Sequence, residues 1–173
     1  LKSLRMNTGF VPQDSFLFSD SIINNIKFGN ENASETEIKA VSKIAGIHQE
    51  IIKFKNKYNT ILGERGVNLS GGQKQRICIA RALVKKPKIL ILDDCLSALD
   101  TETEEKIINS LDDYIKDTTT IISSHRISSI QNLDKIIVLN DGEIIQSGTH
   151  NELIEQEGYY EQLYLRQLTE KSV

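Results

Sequence analysis

Leu69-Ser70-Gly71-Gly72-Gln73 sets a hydroxyl, two residues without side chains and an amide in succession at the start of a helical stretch. Two readings are open. In the first, Ser70 is an N-cap and Gln73 reaches back to complete a capping box, for a helix that runs to about Val84 and is ended by Pro87. That leaves two adjacent glycines unexplained, because each costs roughly 0.8–1 kcal/mol relative to Ala inside a helix. In the second, a helix N-terminus stripped of side chains offers its free N–H groups and positive dipole end to an anion, which is phosphate recognition.

Asp93 and Asp94 follow the apolar run Ile89-Leu90-Ile91-Leu92. Four apolar residues closed by carboxylates fit a central parallel strand, covered on both faces, with its acids at the carboxyl end. There one carboxylate can hold Mg²⁺ and a second can orient or deprotonate a water, the division of labour in phosphoryl transfer. Acidic pairs after strands also serve as plain helix caps. His125 stands at the corresponding end of a run Thr119 to Ser124, where an imidazole could donate to a phosphate oxygen or simply sit at the surface. Gln13, after Val11-Pro12, is ambiguous by itself.

The elements that must position these groups are legible by period. Arg5 to Gln13 reads as a strand running into a loop, closed by Pro12. Residues 15–57 read as a helical region, with Ile22, Ile23 and Ile26 at helix spacing and Ser34-Glu35-Thr36-Glu37 as a capping box before Ile38, Val41 and Ile44. Residues 58–69 read as a loop. A helix from about Glu102 to Ile115 carries Ile107, Ile108, Leu111 and Tyr114 on one stripe, and the strand 119–124 follows. Asp141-Gly142 between apolar runs predicts a hairpin, and two helices, 151–156 and 159–168, close the chain.

Composition removes several classes. Lys and Arg total 21 against 24 Asp and Glu, a net charge of -3, so bulk positive charge for nucleic acid is absent. The basic set Arg65, Lys74, Arg76, Arg81, Lys85, Lys86 and Lys88 reads as a solvated helix face. Apolar runs such as Ile77 to Ala80 fall far below the ~20 residues of a membrane helix. Two cysteines are too few for a disulfide framework, and the start lacks a signal-peptide core, which points to a reducing, intracellular location. Leu1 in place of Met suggests a piece of a longer chain.

Taken in order, Gln13, Leu69 to Gln73, Asp93, Ser97-Ala98-Leu99-Asp100 and His125 resemble the ATP-binding domain of ABC transporters of the exporter type, over essentially the whole chain. Val11 to Asp14 matches the Q-loop, Gly63 to Val67 the exporter X-loop, Leu69 to Gln73 the signature, Ile89 to Asp93 Walker B, Ser97 to Asp100 the D-loop and Ser124-His125-Arg126 the switch-histidine loop. Gly142 through Gly148-Thr149-His150 resembles the domain's tail.

The resemblance implies an α/β fold: part of a P-loop NTPase (RecA-like) core with an ABC helical subdomain. It divides the chain into a Q-loop strand (1–14), a helical subdomain with the signature helix (15–87), a Walker B to switch-histidine core (88–150) and carboxyl-terminal helices (151–173). It implies ATP and Mg²⁺, with Asp94, His125 and Gln13 catalytic, Asp93 and Gln13 on the metal, and Ser70, Gly71, Gly72, Gln73 and Asp100 on the nucleotide. It further implies a second ABC ATPase domain in a head-to-tail dimer, transmembrane domains, no nucleic acid, and a place on the cytoplasmic face of the membrane.

Two departures carry their own expectations. No G-x-x-x-x-G-K-[ST] occurs, so these residues are read as the carboxyl-terminal two-thirds of such a domain. By themselves they should lack ATPase activity and leave part of Ile89 to Leu92 and Ile121 to Ile122 uncovered. Asp94 stands where the family carries Glu, as in the weak-site half of a heterodimeric exporter, whose intact signature would serve the partner's site. The alternatives are an ABC ATPase without transport, disfavoured by the exporter-like stretch 58–67, and a regulatory ATP-binding subunit.

Overall fold

The computed structural model describes residues 1–63 and 68–171, so most of the X-loop match (64–67) lies outside the described residues. The chain divides into two compact units, Leu1–Ser123 and Ser124–Val173.

In the first unit, three parallel strands lie in the order β1 (Thr8–Val11), β2 (Ile89–Asp93), β3 (Thr119–Ser123). Val11 pairs with Leu92, and Asp93 with Ser123, so all three strands end at one edge. Gln13, Asp93 and Asp94 sit at or just past that edge, where open parallel sheets bind ligands. A six-residue helix, α1 (Lys2–Asn7), precedes β1 and buries none of its residues. The strand predicted from Arg5 therefore begins only at Thr8. A helix that buries no side chain leaves no apolar period to read.

Between β1 and β2 run α2 (Ile22–Lys27), α3 (Glu35–Ile44), α4 (His48–Ile51) and α5 (Gly71–Leu83). The capping box predicted at Ser34 is present, with Glu37 returning to the cap, and so is the one at Ser70. α5 buries Gln75 through Ala80 together with Ala82 and Leu83, nearly its full circumference, because α2, α3 and β1 all pack against it. Its cysteine, Cys78, is buried, as is Cys95 after β2. Asp100 then caps α6 (Thr101–Ile115), which leads to β3.

Two expectations are corrected here. β2 is covered on one face only: Leu90 and Leu92 are buried, whereas Ile91 is half-buried in a register row with Phe10 and Ile121, each 54% exposed. In that open row, Ile91 and Ile121 fall within the stretches expected to be partly uncovered, Ile89 to Leu92 and Ile121 to Ile122. The basic set is only partly a solvated face: Arg65 lies outside the described residues and Lys86 and Lys88 are exposed, but three others are drawn inward. Arg76 is buried; Arg81 donates from Nη1 to Phe16 O (2.8 Å) and from Nε to Asn25 O (2.8 Å); Lys85 Nζ donates to Thr8 O at 2.9 Å. These long side chains donate to main-chain carbonyls of α2, β1 and the loop at Phe16 that surround the end of α5.

The second unit is built on the hairpin β4 (Ile136–Asn140) and β5 (Glu143–Gly148), with α7 (His150–Glu155) and α8 (Tyr159–Lys171). Asp141 and Gly142 both have positive φ, 48° and 83°, as a type I′ turn requires. Ile127, Ile136, Val138, Leu153 and Tyr160 form its core.

Candidate functional site

Ser70 and Gln73 close a reciprocal pair at the start of α5. Ser70 Oγ accepts from Gln73 N (3.2 Å), and Gln73 Oε1 accepts from Ser70 N (2.9 Å). The two glycines between them have different surroundings. A Cβ on Gly72 would stand 2.9 Å from Leu99 Cδ2 and 3.5 Å from Ala98 O, so the loop before α6 fills that space. A Cβ on Gly71 would meet nothing nearer than Ala98 Cβ at 4.0 Å, and Gly71 is exposed. Packing accounts for Gly72, and Gly71 is the position left open to a ligand. The first-turn N–H groups there lie at the open end of a helix of 13 residues that is buried from Gln75 to Ala80.

Asp94 is half-buried and has φ +43°, left-handed backbone that non-glycine residues adopt at a cost. It is held there from both sides: Asp94 N donates to Ser123 O (3.0 Å), and Ser97 Oγ donates to Asp94 O (2.8 Å). Its Oδ2 accepts from Gln13 Nε2 at 3.3 Å, joining residues 81 positions apart. Gln75 Nε2 approaches Gln13 O at 3.5 Å, so the same glutamine is tied to α5. Asp93 ends β2 with an exposed side chain. Burial pushes the neighbouring Cys95 thiol up to about 12, with the Asp94 carboxylate adding to the shift.

Asp100 is exposed, its Oδ1 accepts from Thr103 N at 2.9 Å, and hydrogen bonds from the Thr103 side chain and then its N–H lower the carboxyl pKa. It is thus the N-cap of α6. His125 belongs to the second unit; its side chain is exposed, and its carbonyl accepts from Gln167 Nε2 at 2.8 Å while Gln167 Oε1 accepts from Ile127 N at 2.9 Å. Within the first unit, then, Gln13 and Asp94 meet at the sheet edge, and Gly71–Gly72 lie against Ala98–Leu99.

Mg²⁺ takes hard oxygen donors and keeps several waters, so one carboxylate and one amide oxygen suit it. Asp93 and Gln13, at the strand ends, carry donors of that kind, and among the described residues there is no cluster of three His, Cys, Asp or Glu side chains. A residue that sequence reasoning missed is Glu50, on α4, whose carboxylate contacts both Gln73 and Arg76. Its separation of 23 and 26 residues from those partners leaves no local pattern to find.

Comparisons with known proteins point to one family. The family described as "ABC transporter" matches residues 1–97, more than half of the chain. The "Uncharacterized ABC transporter ATP-binding protein YfiB" of Bacillus subtilis (strain 168) is 50% identical over 163 residues, covering 94% of this chain and 28% of its own length. The "Iron-sulfur clusters transporter ABCB7, mitochondrial" of Danio rerio is 46% identical over 158 residues, 91% of this chain and 21% of that protein. The solved structure described as "Structure of a bacterial Atm1-family ABC exporter with ATP bound" superimposes with a TM-score of 0.93 at 44% identity, over 96% of this chain and 30% of that one. The chain spans less than a third of the length of these relatives.

Proposed function

The chain belongs to the ABC transporter family, as an ATP-binding segment of the exporter type, and from that premise we propose that it powers export by ATP hydrolysis in a two-domain assembly. The observation that carries the reading is the start of α5: a Ser70-capped first turn in which Gly71 leaves the N–H groups open. Those groups donate to the phosphate oxygens of a nucleotide held by a second ABC ATPase domain, where fixed donors stabilise developing charge. Residues 1–14, 15–87, 88–150 and 151–173 act as Q-loop strand, helical subdomain, hydrolytic core and terminal helices. Transmembrane domains elsewhere in the transporter form the path; among the described residues no helix is long and apolar enough to cross a membrane. The site of action is the cytoplasmic face of that membrane.

In this chain's own site, Asp93 and the Gln13 amide oxygen would hold Mg²⁺, which supplies neutralisation of phosphate charge when bound. Asp94 orients a water and takes its proton as the water oxygen bonds the γ-phosphorus and the bond to the bridging oxygen of ADP breaks. Asp100 fixes the loop that backs Gly72, and His125, in the second unit, takes from the family resemblance the role of donor to a γ-phosphate oxygen. Asp94 reaches one methylene less far than Glu. That supports a weak site here, a competent one on a non-identical partner, and a heterodimer.

The test is ATP turnover by the full-length transporter carrying Gly71→Asp. A carboxylate placed before the open N–H groups is expected to lower turnover by about 10²-fold or more. Wild-type turnover in that variant would overturn the reading.

A further inference from the structure

We propose that Glu50 is a positioning residue for the Ser70–Gln73 turn, holding its main chain in the geometry that meets phosphate. The inference rests on the reading of that turn given above. Glu50 spends its two oxygens on two residues of α5, one turn apart: Oε1 accepts from Arg76 Nη1 at 2.6 Å and Oε2 from Gln73 Nε2 at 2.8 Å. Each of those residues passes the constraint on. Gln73 has its amide nitrogen committed to Glu50 and its amide oxygen to Ser70 N at 2.9 Å, so the carboxylate fixes which way the amide faces and thereby the return bond of the capping box. Arg76 donates from Nε to Gly72 O at 3.1 Å and from Nη1 to Gly46 O at 2.9 Å.

The result is a closed loop: hydrogen bonds join Glu50 to Gln73 and Gln73 to Ser70, the main chain runs through Gly71 to Gly72, and Arg76 returns from Gly72 to Glu50. Gly71, the residue whose surroundings are open, is its main-chain link. Two adjacent glycines make this the loosest first turn the helix could have. A brace from outside α5 is what such a turn lacks within its own sequence.

The brace is electrostatically well placed. The Arg76 side chain is 10% exposed and that of Glu50 34%, so the pair is less screened than the surface pairs of this chain. Burial raises the Glu50 carboxyl pKa, and the bonds from Arg76 and Gln73 more than offset it, leaving the group below its usual value.

A merely structural tie between α4 and α5 would cost stability without touching the chemistry of folded protein. The experiment separates the two with the full-length transporter, measuring kcat and KM for ATP and the melting temperature of Glu50→Gln and Glu50→Ala. The isosteric Gln variant keeps the measurement informative if the Ala variant fails to fold. The nucleotide is bound by the opposing domain, so the expected result is a fall in kcat of about tenfold with KM changed less than about twofold. Glu50→Ala added to Gln73→Ala should lower kcat far less than it does alone, because the two act in series. Unchanged kcat in folded Glu50→Gln, whatever its melting temperature, overturns the positioning role. No ATP turnover by the unsubstituted transporter would instead overturn the function proposed above.

Discussion

Asp94 shows what a single residue can carry. Its φ of +43° is held by Ser123 O and Ser97 Oγ, and that backbone aims its carboxylate at Gln13. If the short arm is the defect, Asp94→Glu should raise hydrolysis at this chain's site, because positioning near 1 Å is worth on the order of 10²-fold. Asp94→Asn should change the transporter's turnover far less than Gly71→Asp does. Turnover by the reconstituted transporter decides both; abolition by Asp94→Asn would make Asp94 a working base and remove the case for a weak site. At this scale the sequence was readable where partners are three residues apart, as with Ser70 and Gln73. It was unreadable where they are distant: Glu50 is invisible in one dimension, and so is the approach of Leu99 to Gly72.

Among the elements, those with caps and one apolar stripe were legible. α3, α5, α6 and the hairpin β4–β5 lie within a residue or two of where period and turn chemistry put them. α7 starts one residue early because Thr149, with Glu152 returning to it, supplies a capping box that the Asn151 start overlooked. The cap of α3 makes a pH prediction. The hydrogen bond from Lys86 Nζ at 2.5 Å, followed by those from Ser34, holds the Glu37 carboxyl at about 2. A folded pKa below the unfolded one contributes stability above about pH 4.5 that is lost as pH falls toward 2. Glu37→Gln should therefore flatten the dependence of melting temperature on pH across that window. An unchanged slope would mean the bond is present in the structure and thermodynamically silent, as exposed pairs often are.

For the whole molecule, the exposed row Phe10, Ile91 and Ile121 was legible only from the motifs and not from the apolar pattern, since an apolar residue in a strand is written the same way whether its face is covered or bare. Contiguous apolar surface of this kind recruits partners or aggregates. The polypeptide of residues 1–173, prepared alone, should bind a hydrophobic dye and self-associate. It should also give no heat of micromolar Mg-ATP binding, because it contains no G-x-x-x-x-G-K-[ST]. A dye-silent monomer that binds Mg-ATP would contradict both statements.

Cys78 and Cys95, both buried in the first unit, turn this protein into its own stopwatch. One thiol lies in the middle of α5 and the other directly follows Asp94, and burial keeps the Cys95 thiolate scarce at neutral pH. An alkylating reagent can reach either sulfur only while its surroundings are briefly apart. The rate at which each cysteine is modified thus records how often the signature helix and the strand-end loop open, with no foreign label introduced.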